Sequence, residues 1–125
     1  IIIGYLENEM GRSIGFVDWM AKVVRPSVEG FSRDHRCLTY VWGGKSAAGA
    51  MFPNPYMKDR GVVIVLRGAA TPTGKWFAEK IDCARDYVAA FGAPAPKPSF
   101  LAISGDSDGT MSRAAGSFMH LAFSD

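Results

Sequence analysis

Val62-Val63-Ile64-Val65-Leu66 is an unbroken apolar run, β-branched at every place but the last. A strand with one wetted side would show a polar residue at every second position, so this run predicts a strand covered on both faces. Upstream, Cys37-Leu38-Thr39-Tyr40-Val41-Trp42 is rich in β-branched and aromatic residues and is ended by Gly43-Gly44, which predicts a second strand. Between the two lies a long loop, 43–61, rich in glycine and proline around Met51, Phe52 and Tyr56, with room for a short strand inside it. Long ordered loops often carry function.

Further out, the turn Thr71-Pro72-Thr73-Gly74 leads into Trp76-Phe77-Ala78-Glu79-Lys80-Ile81, read as another strand. Asp82 is placed to cap a short helix over 83–91, whose Ala84, Tyr87, Val88 and Phe91 share one face. Gly92 then sits where a left-handed residue is wanted, and Pro94 follows. Phe100-Leu101-Ala102-Ile103 reads as a buried strand, Gly105 to Gly109 as an acidic turn, and Gly116 to Phe123 as a closing strand with Met119, Leu121 and Phe123 on one face. Near the other end, Ile1 to Leu6 is strand-like. Residues 14–25 show helical spacing at Phe16, Trp19, Met20 and Val23, between a capping Ser13 and a terminating Pro26. Roughly six strands and two short helices favour an antiparallel β-sandwich over a βαβ layout, because the helices are too few to cross between every pair of strands.

The chain has 125 residues, 48% hydrophobic and 21% charged, which suits a single globular domain spanning 1–125. The net charge of +2 and the absence of a Lys/Arg run leave no electrostatic footprint for nucleic acid or an anionic membrane surface. No apolar stretch reaches membrane-spanning length. The chain opens at Ile1, inside a strand-like stretch, and is expected to be a processed or N-terminally truncated piece. Cys37 and Cys83 form no C-x-x-C pair, so zinc and dithiol chemistry are not expected, and two separated thiols read as buried small residues before they read as a bridge.

Leu38-Thr39-Tyr40-Val41-Trp42, Asn54-Pro55, Gly74-Lys75-Trp76 with Glu79, Asp82, Asp86-Tyr87 and Ala90-Phe91-Gly92, and Ala102-Ile103 with Asp106-Ser107-Asp108-Gly109-Thr110 occur in this order. Together they resemble the bacterial family known as domain of unknown function 3047. Ser107 and Gly109 stand where that family usually has Thr and Asn, and Met119-His120 stands near its usual Gly-Asp pair. The resemblance implies a jelly-roll sandwich like those of galactose-binding and other carbohydrate-binding modules, in periplasmic, secreted or envelope proteins. It also implies further strands N-terminal to this chain, and it supplies no catalytic residues.

Several motifs invite chemistry. Gly105-Asp106-Ser107-Asp108-Gly109 fits G-x-S-x-G, which would make Ser107 a nucleophile and His120 its base. Three points oppose a serine hydrolase, one being that the 16 residues after Gly109 are too few for the usual later Asp and His of an α/β-hydrolase. The Asp108 carboxylate would sit beside the oxyanion donor, and the alternating helices of that fold are missing. The same turn offers Asp106 and Asp108 as alternating oxygen ligands for calcium, though no loop-closing Glu follows. Aspartates capping their own turn are the plain alternative. Gly43-Gly44-Lys45-Ser46 lacks the first glycine of a phosphate loop, with Thr39 in its place, and no helix is expected after it. Asp82 and Asp86 are explained by the cap and the positive first turn of a helix. His35 and His120 have no local metal-ligand partner. For sugar stacking the candidates are Trp42, Tyr56 and Trp76, against a default of core packing.

The sequence thus points to a non-catalytic binding or structural module of the bacterial envelope. A glycan or other envelope polymer would lie on Trp42, Tyr56 and Trp76, with calcium at Asp106 and Asp108 as the one cofactor considered. The competing readings are a serine hydrolase using Ser107 and a structural subunit that forms a homo-oligomer through an exposed sheet.

Overall fold

The computed structural model of the chain describes residues 3–7, 36–55, 57–98, 101–103, 105, 113 and 115–124. Among these, β1 (Ile3–Glu7), β2 (Cys37–Gly43), β3 (Met51–Pro53), β4 (Gly61–Arg67) and β5 (Ala102–Ile103) form one sheet in the order β3-β4-β2-β1-β5. A helix, α1 (Cys83–Phe91), lies on the connection from β4 to β5, and a 3-10 turn (Lys58–Arg60) precedes β4. The chain is built mainly from strands, as expected, but the expected antiparallel jelly-roll is not what the described residues form. β1 pairs parallel with β2 and with β5, and β2 pairs parallel with β4. Only β3 is antiparallel, along the outer edge of β4.

The reason is already present in the Val62–Leu66 run. Parallel neighbours cannot be joined by a tight hairpin, so their connections lie over the sheet faces and bury both sides. One layer consists of Leu38, Tyr40 and Ile64, against which Ile81 and the α1 residues Cys83, Tyr87, Ala90 and Phe91 pack. The other consists of Val41, Val63 and Val65, with Ala50 and Phe52 against them. Alternate residues of β2 and β4 therefore feed opposite layers, and no position in the middle of either strand can be polar without a partner. Full burial of each such side chain contributes about 1.5–3 kcal/mol.

α1 begins and ends as its sequence predicts. Asp82 Oδ1 accepts the Arg85 backbone N–H at 2.9 Å, and Gly92 closes the helix in the left-handed region with its N–H donated to the Val88 carbonyl. Tyr87 and Phe91 stack at a ring separation of 4.7 Å, and the Arg36 guanidinium lies 5.1 Å from the Phe91 centroid. Beneath the helix, the Tyr40 hydroxyl donates to Asp86 Oδ2 at 3.0 Å, while Arg85 holds Oδ1 of the same carboxylate at 3.1 Å. Burial, and then the neighbouring Cys83 and Asp86, push the Tyr40 hydroxyl far above the ordinary tyrosine range. The adjacent Asp86 carboxylate likewise raises the Arg85 guanidinium.

Two expected strands are absent. Residues 75–82 run without regular structure and pair with no strand among the described residues; Phe77 and Ile81 are half-buried while Trp76 is exposed. In residues 115–124 no strand forms, and Phe118, Met119, Leu121 and Phe123 are each more than half exposed. Alternating hydrophobicity makes a strand only where a neighbour takes up the backbone hydrogen bonds. The helix expected over 14–25 lies outside the described residues, and so does the acidic turn apart from Gly105. The two thiols are free: Cys37 alternates with Leu38 and is buried, whereas Cys83 packs in the Leu38 layer, so they occupy opposite faces of the sheet. Burial raises the Cys37 thiol above its ordinary value.

Candidate functional site

β2 and β4 are adjacent and parallel, so both run out at the same edge of the sheet, at Gly43 and Arg67. β1 ends beside them, with Glu7 in register with Gly43. The chain leaves β2 through Gly43 and Gly44, at φ of 103° and 77°. Two successive left-handed residues turn the backbone sharply off the strand, and glycine takes this conformation without a Cβ penalty. The loop after β4 comes close to it: the Ala69 N–H donates to the Gly44 carbonyl at 3.0 Å, and a Cβ at Gly68 would lie 3.0 Å from the Ser46 carbonyl oxygen. Between these loops opens a cleft of about 610 Å³, whose far wall is Phe77. In open sheets of parallel strands, ligands bind in the crevice outside the carboxyl ends of the strands.

The base of the cleft is an arginine on an aromatic support. The register of β2 and β4 slips after Val41, which brings Arg67 opposite Trp42. The Arg67 guanidinium carbon lies 4.3 Å from the Phe77 centroid and 5.5 Å from that of Trp42, and the two rings meet edge to face at 5.3 Å. Arg67 Nε donates to Glu79 Oε1 in an ion pair that is about one-third exposed on each side. Such a guanidinium is fixed in plane and position by stacking as well as by charge. The ionisable side chains among the described residues that line the cleft are Lys45 and Arg67; the remainder are small or apolar, with Ser46 and Thr71 as hydroxyls. Among the described residues the lining thus offers two cations and hydroxyl donors, and no carboxylate, imidazole or thiol for acid–base or nucleophilic work.

The residues expected from the sequence fall differently. Trp42 is half-buried and supports Arg67 rather than presenting a free stacking face. Trp76 is 65% exposed, one residue before the cleft wall at Phe77. Tyr56, Asp106, Ser107 and Asp108 lie outside the described residues, and with them the calcium turn and the nucleophile. His120 is exposed. The sheet is largely parallel, but α1 is the one α-helix among the described residues, so the objection from missing helices stands with that from Asp108. Asp82 and Asp86 serve the helix, as expected. Among the described residues no group of three or more His, Cys, Asp or Glu is placed to hold a metal ion, and no helix is long and apolar enough to cross a membrane.

Sequence reasoning gave no site role to Arg67, Phe77 or Glu79, and it weighed Lys45 only in a phosphate loop that it set aside. The signal for them was Gly43-Gly44 and Gly68 following two apolar runs, which marks two strand ends that share an edge once the strands are parallel. Gly44-Lys45-Ser46 of the Gly43-Gly44-Lys45-Ser46 stretch does line the cleft, yet it is no phosphate loop: a turn and β3 follow it, not a helix. A family model described as Protein of unknown function (DUF3047) matches residues 5–122. No curated protein and no solved structure matches the chain.

Proposed function

The chain belongs to the DUF3047 family, and from the cleft at the carboxyl ends of β2 and β4 we propose that it is a binding module for a polar polymer, namely a glycan of the bacterial envelope. The observation that carries this reading is the make-up of the cleft: open, with an aromatic ring in its lining and, among the described residues, cations and hydroxyls without an acid–base pair. Such a surface holds a ligand without a group to transform it. Sugars suit it because their hydroxyls match the cations and hydroxyls of the lining, and a pyranose presents an apolar face to an exposed aromatic ring such as Trp76. Trp76 is exposed and next in sequence to Phe77, and it supplies the stacking ring in this reading. Placement in the periplasm or outside the cell belongs to the same proposal, and finding the native full-length protein only in the cytoplasmic fraction would remove it.

Binding to the native state alone raises thermal stability by mass action, by about 2.7 kcal/mol when the ligand is at 100 times its dissociation constant. A panel of neutral and acidic bacterial and plant polysaccharides is therefore expected to contain at least one that raises the melting temperature by several degrees. Trp76→Ala is expected to reduce that rise without lowering the unliganded melting temperature, since the ring is exposed. A melting temperature that no polysaccharide shifts would overturn the proposal.

A further inference from the structure

We infer that Arg67 is the specificity-determining residue of this cleft and that it selects a sugar unit bearing a carboxylate, a uronic acid, over a neutral sugar. The inference rests on the glycan reading above and goes beyond it in naming the chemistry of the ligand.

Arg67 is equipped for this in three ways. Its plane is set by Phe77 at 4.3 Å and Trp42 at 5.5 Å, so the fork does not have to be ordered when a ligand arrives. Its Nε is already taken by Glu79, and among the described residues no group bonds to its two terminal nitrogens. Two parallel N–H donors on a fixed planar group match the two oxygens of a carboxylate. Lys45 is exposed on the lining and adds a second positive charge, and among the described residues that line the cleft none is acidic. Glu79 reaches Arg67 through Nε, so it positions the guanidinium without covering the edge that a ligand would use. Phosphate shares the oxyanion chemistry. A phosphate site, however, is usually cradled by several backbone N–H groups, and here the Ala69 N–H is spent on the Gly44 carbonyl.

The test is calorimetric titration of the full chain with trigalacturonate, with its fully methyl-esterified counterpart, and with inorganic phosphate. The expected result is binding of the acid at least tenfold tighter than the ester, with phosphate a poor competitor. Arg67→Lys, which keeps the charge and loses the fork, is expected to weaken the acid about ten- to hundredfold and the ester severalfold at most, so that the acid preference collapses. Lys45→Gln, at an exposed position, is expected to weaken the acid severalfold and to make binding less sensitive to salt. Acid and ester binding equally well, or an acid preference that survives Arg67→Lys and Lys45→Gln, would overturn the inference and leave the glycan reading standing. Phosphate displacing the acid at lower concentration than the acid itself requires would overturn the carboxylate assignment. If the two sugars and the wider polysaccharide panel all fail to bind, the inference and the glycan reading fall together.

Discussion

Replacing Tyr40 with alanine is expected to lower the free energy of unfolding by about 3–5 kcal/mol, and replacing it with phenylalanine by about 1 kcal/mol. Tyr40 is 1% exposed, on the central strand β2, with α1 packed over it. Alanine would remove the ring that joins Leu38 and Ile64 to Tyr87, Ala90 and Phe91, and the gap lies between a rigid sheet and a short helix that can close it only in part. Phenylalanine keeps the ring and loses only the hydroxyl bond to Asp86, whose other oxygen is held by Arg85. Urea unfolding monitored by circular dichroism separates the two cases. The same hydroxyl gives a pH signature. Its folded pKa lies above the unfolded value of 10.0, so its contribution is complete below pH 10 and falls as pH rises beyond it. In Tyr40→Phe that alkaline loss should be smaller. An alanine variant within about 1 kcal/mol of the parent would mean that the helix does not rest on this residue.

Gly61→Ala is expected to cost about 3 kcal/mol, the upper end of what a single added methyl group does in a packed region. The backbone is not the cause, since φ at Gly61 is −131°, ordinary extended chain. The cause is space: a Cβ here would lie 2.5 Å from the Met57 Cβ and 2.8 Å from the Asn54 Cβ, and both neighbours are buried. Neither contact involves a flexible side-chain end, so the backbone of the turn must move. That turn is tied by the Asn54 N–H to the Gly61 carbonyl at 2.8 Å and by the Met57 N–H to the Asn54 carbonyl at 3.1 Å, and it delivers β3 to the edge of β4. The same unfolding experiment should show the loss, and faster amide exchange should appear first in 51–61. An alanine variant of parental stability would contradict the packing described for this turn.

Much of the fold is legible in the sequence where a local rule decides it. The Val62–Leu66 run, the β-branched and aromatic Cys37–Trp42 stretch, the Asp82 cap and the Gly92 stop each correspond to an element with nearly the expected bounds. Parallel pairing was legible too, in the run's demand for cover on both faces, but the small number of visible helices argued for a sandwich. Strand direction is a property of the connections, and no residue within a strand states it. The stretches at 76–81 and 116–123 carry the pattern of a strand without a partner strand, which hydrophobic alternation cannot reveal. The site was least legible for the same reason. Trp42 and Trp76 were singled out as aromatics, but the significance of Arg67 comes from a register slip that sets it against Trp42 and from Phe77 arriving from a later segment.

Amide chemical-shift mapping of the isotopically labelled chain during titration with trigalacturonate tests most directly whether the carboxyl ends of β2 and β4 form the ligand site. Dose-dependent shifts are expected at Gly44, Lys45 and Ser46, at Gly68 and Ala69, and at Phe77, the residues that line the cleft. Shifts confined to residues 105–110 or to the exposed apolar residues of 115–124, with the β2 and β4 ends unmoved, would contradict the assignment of the site.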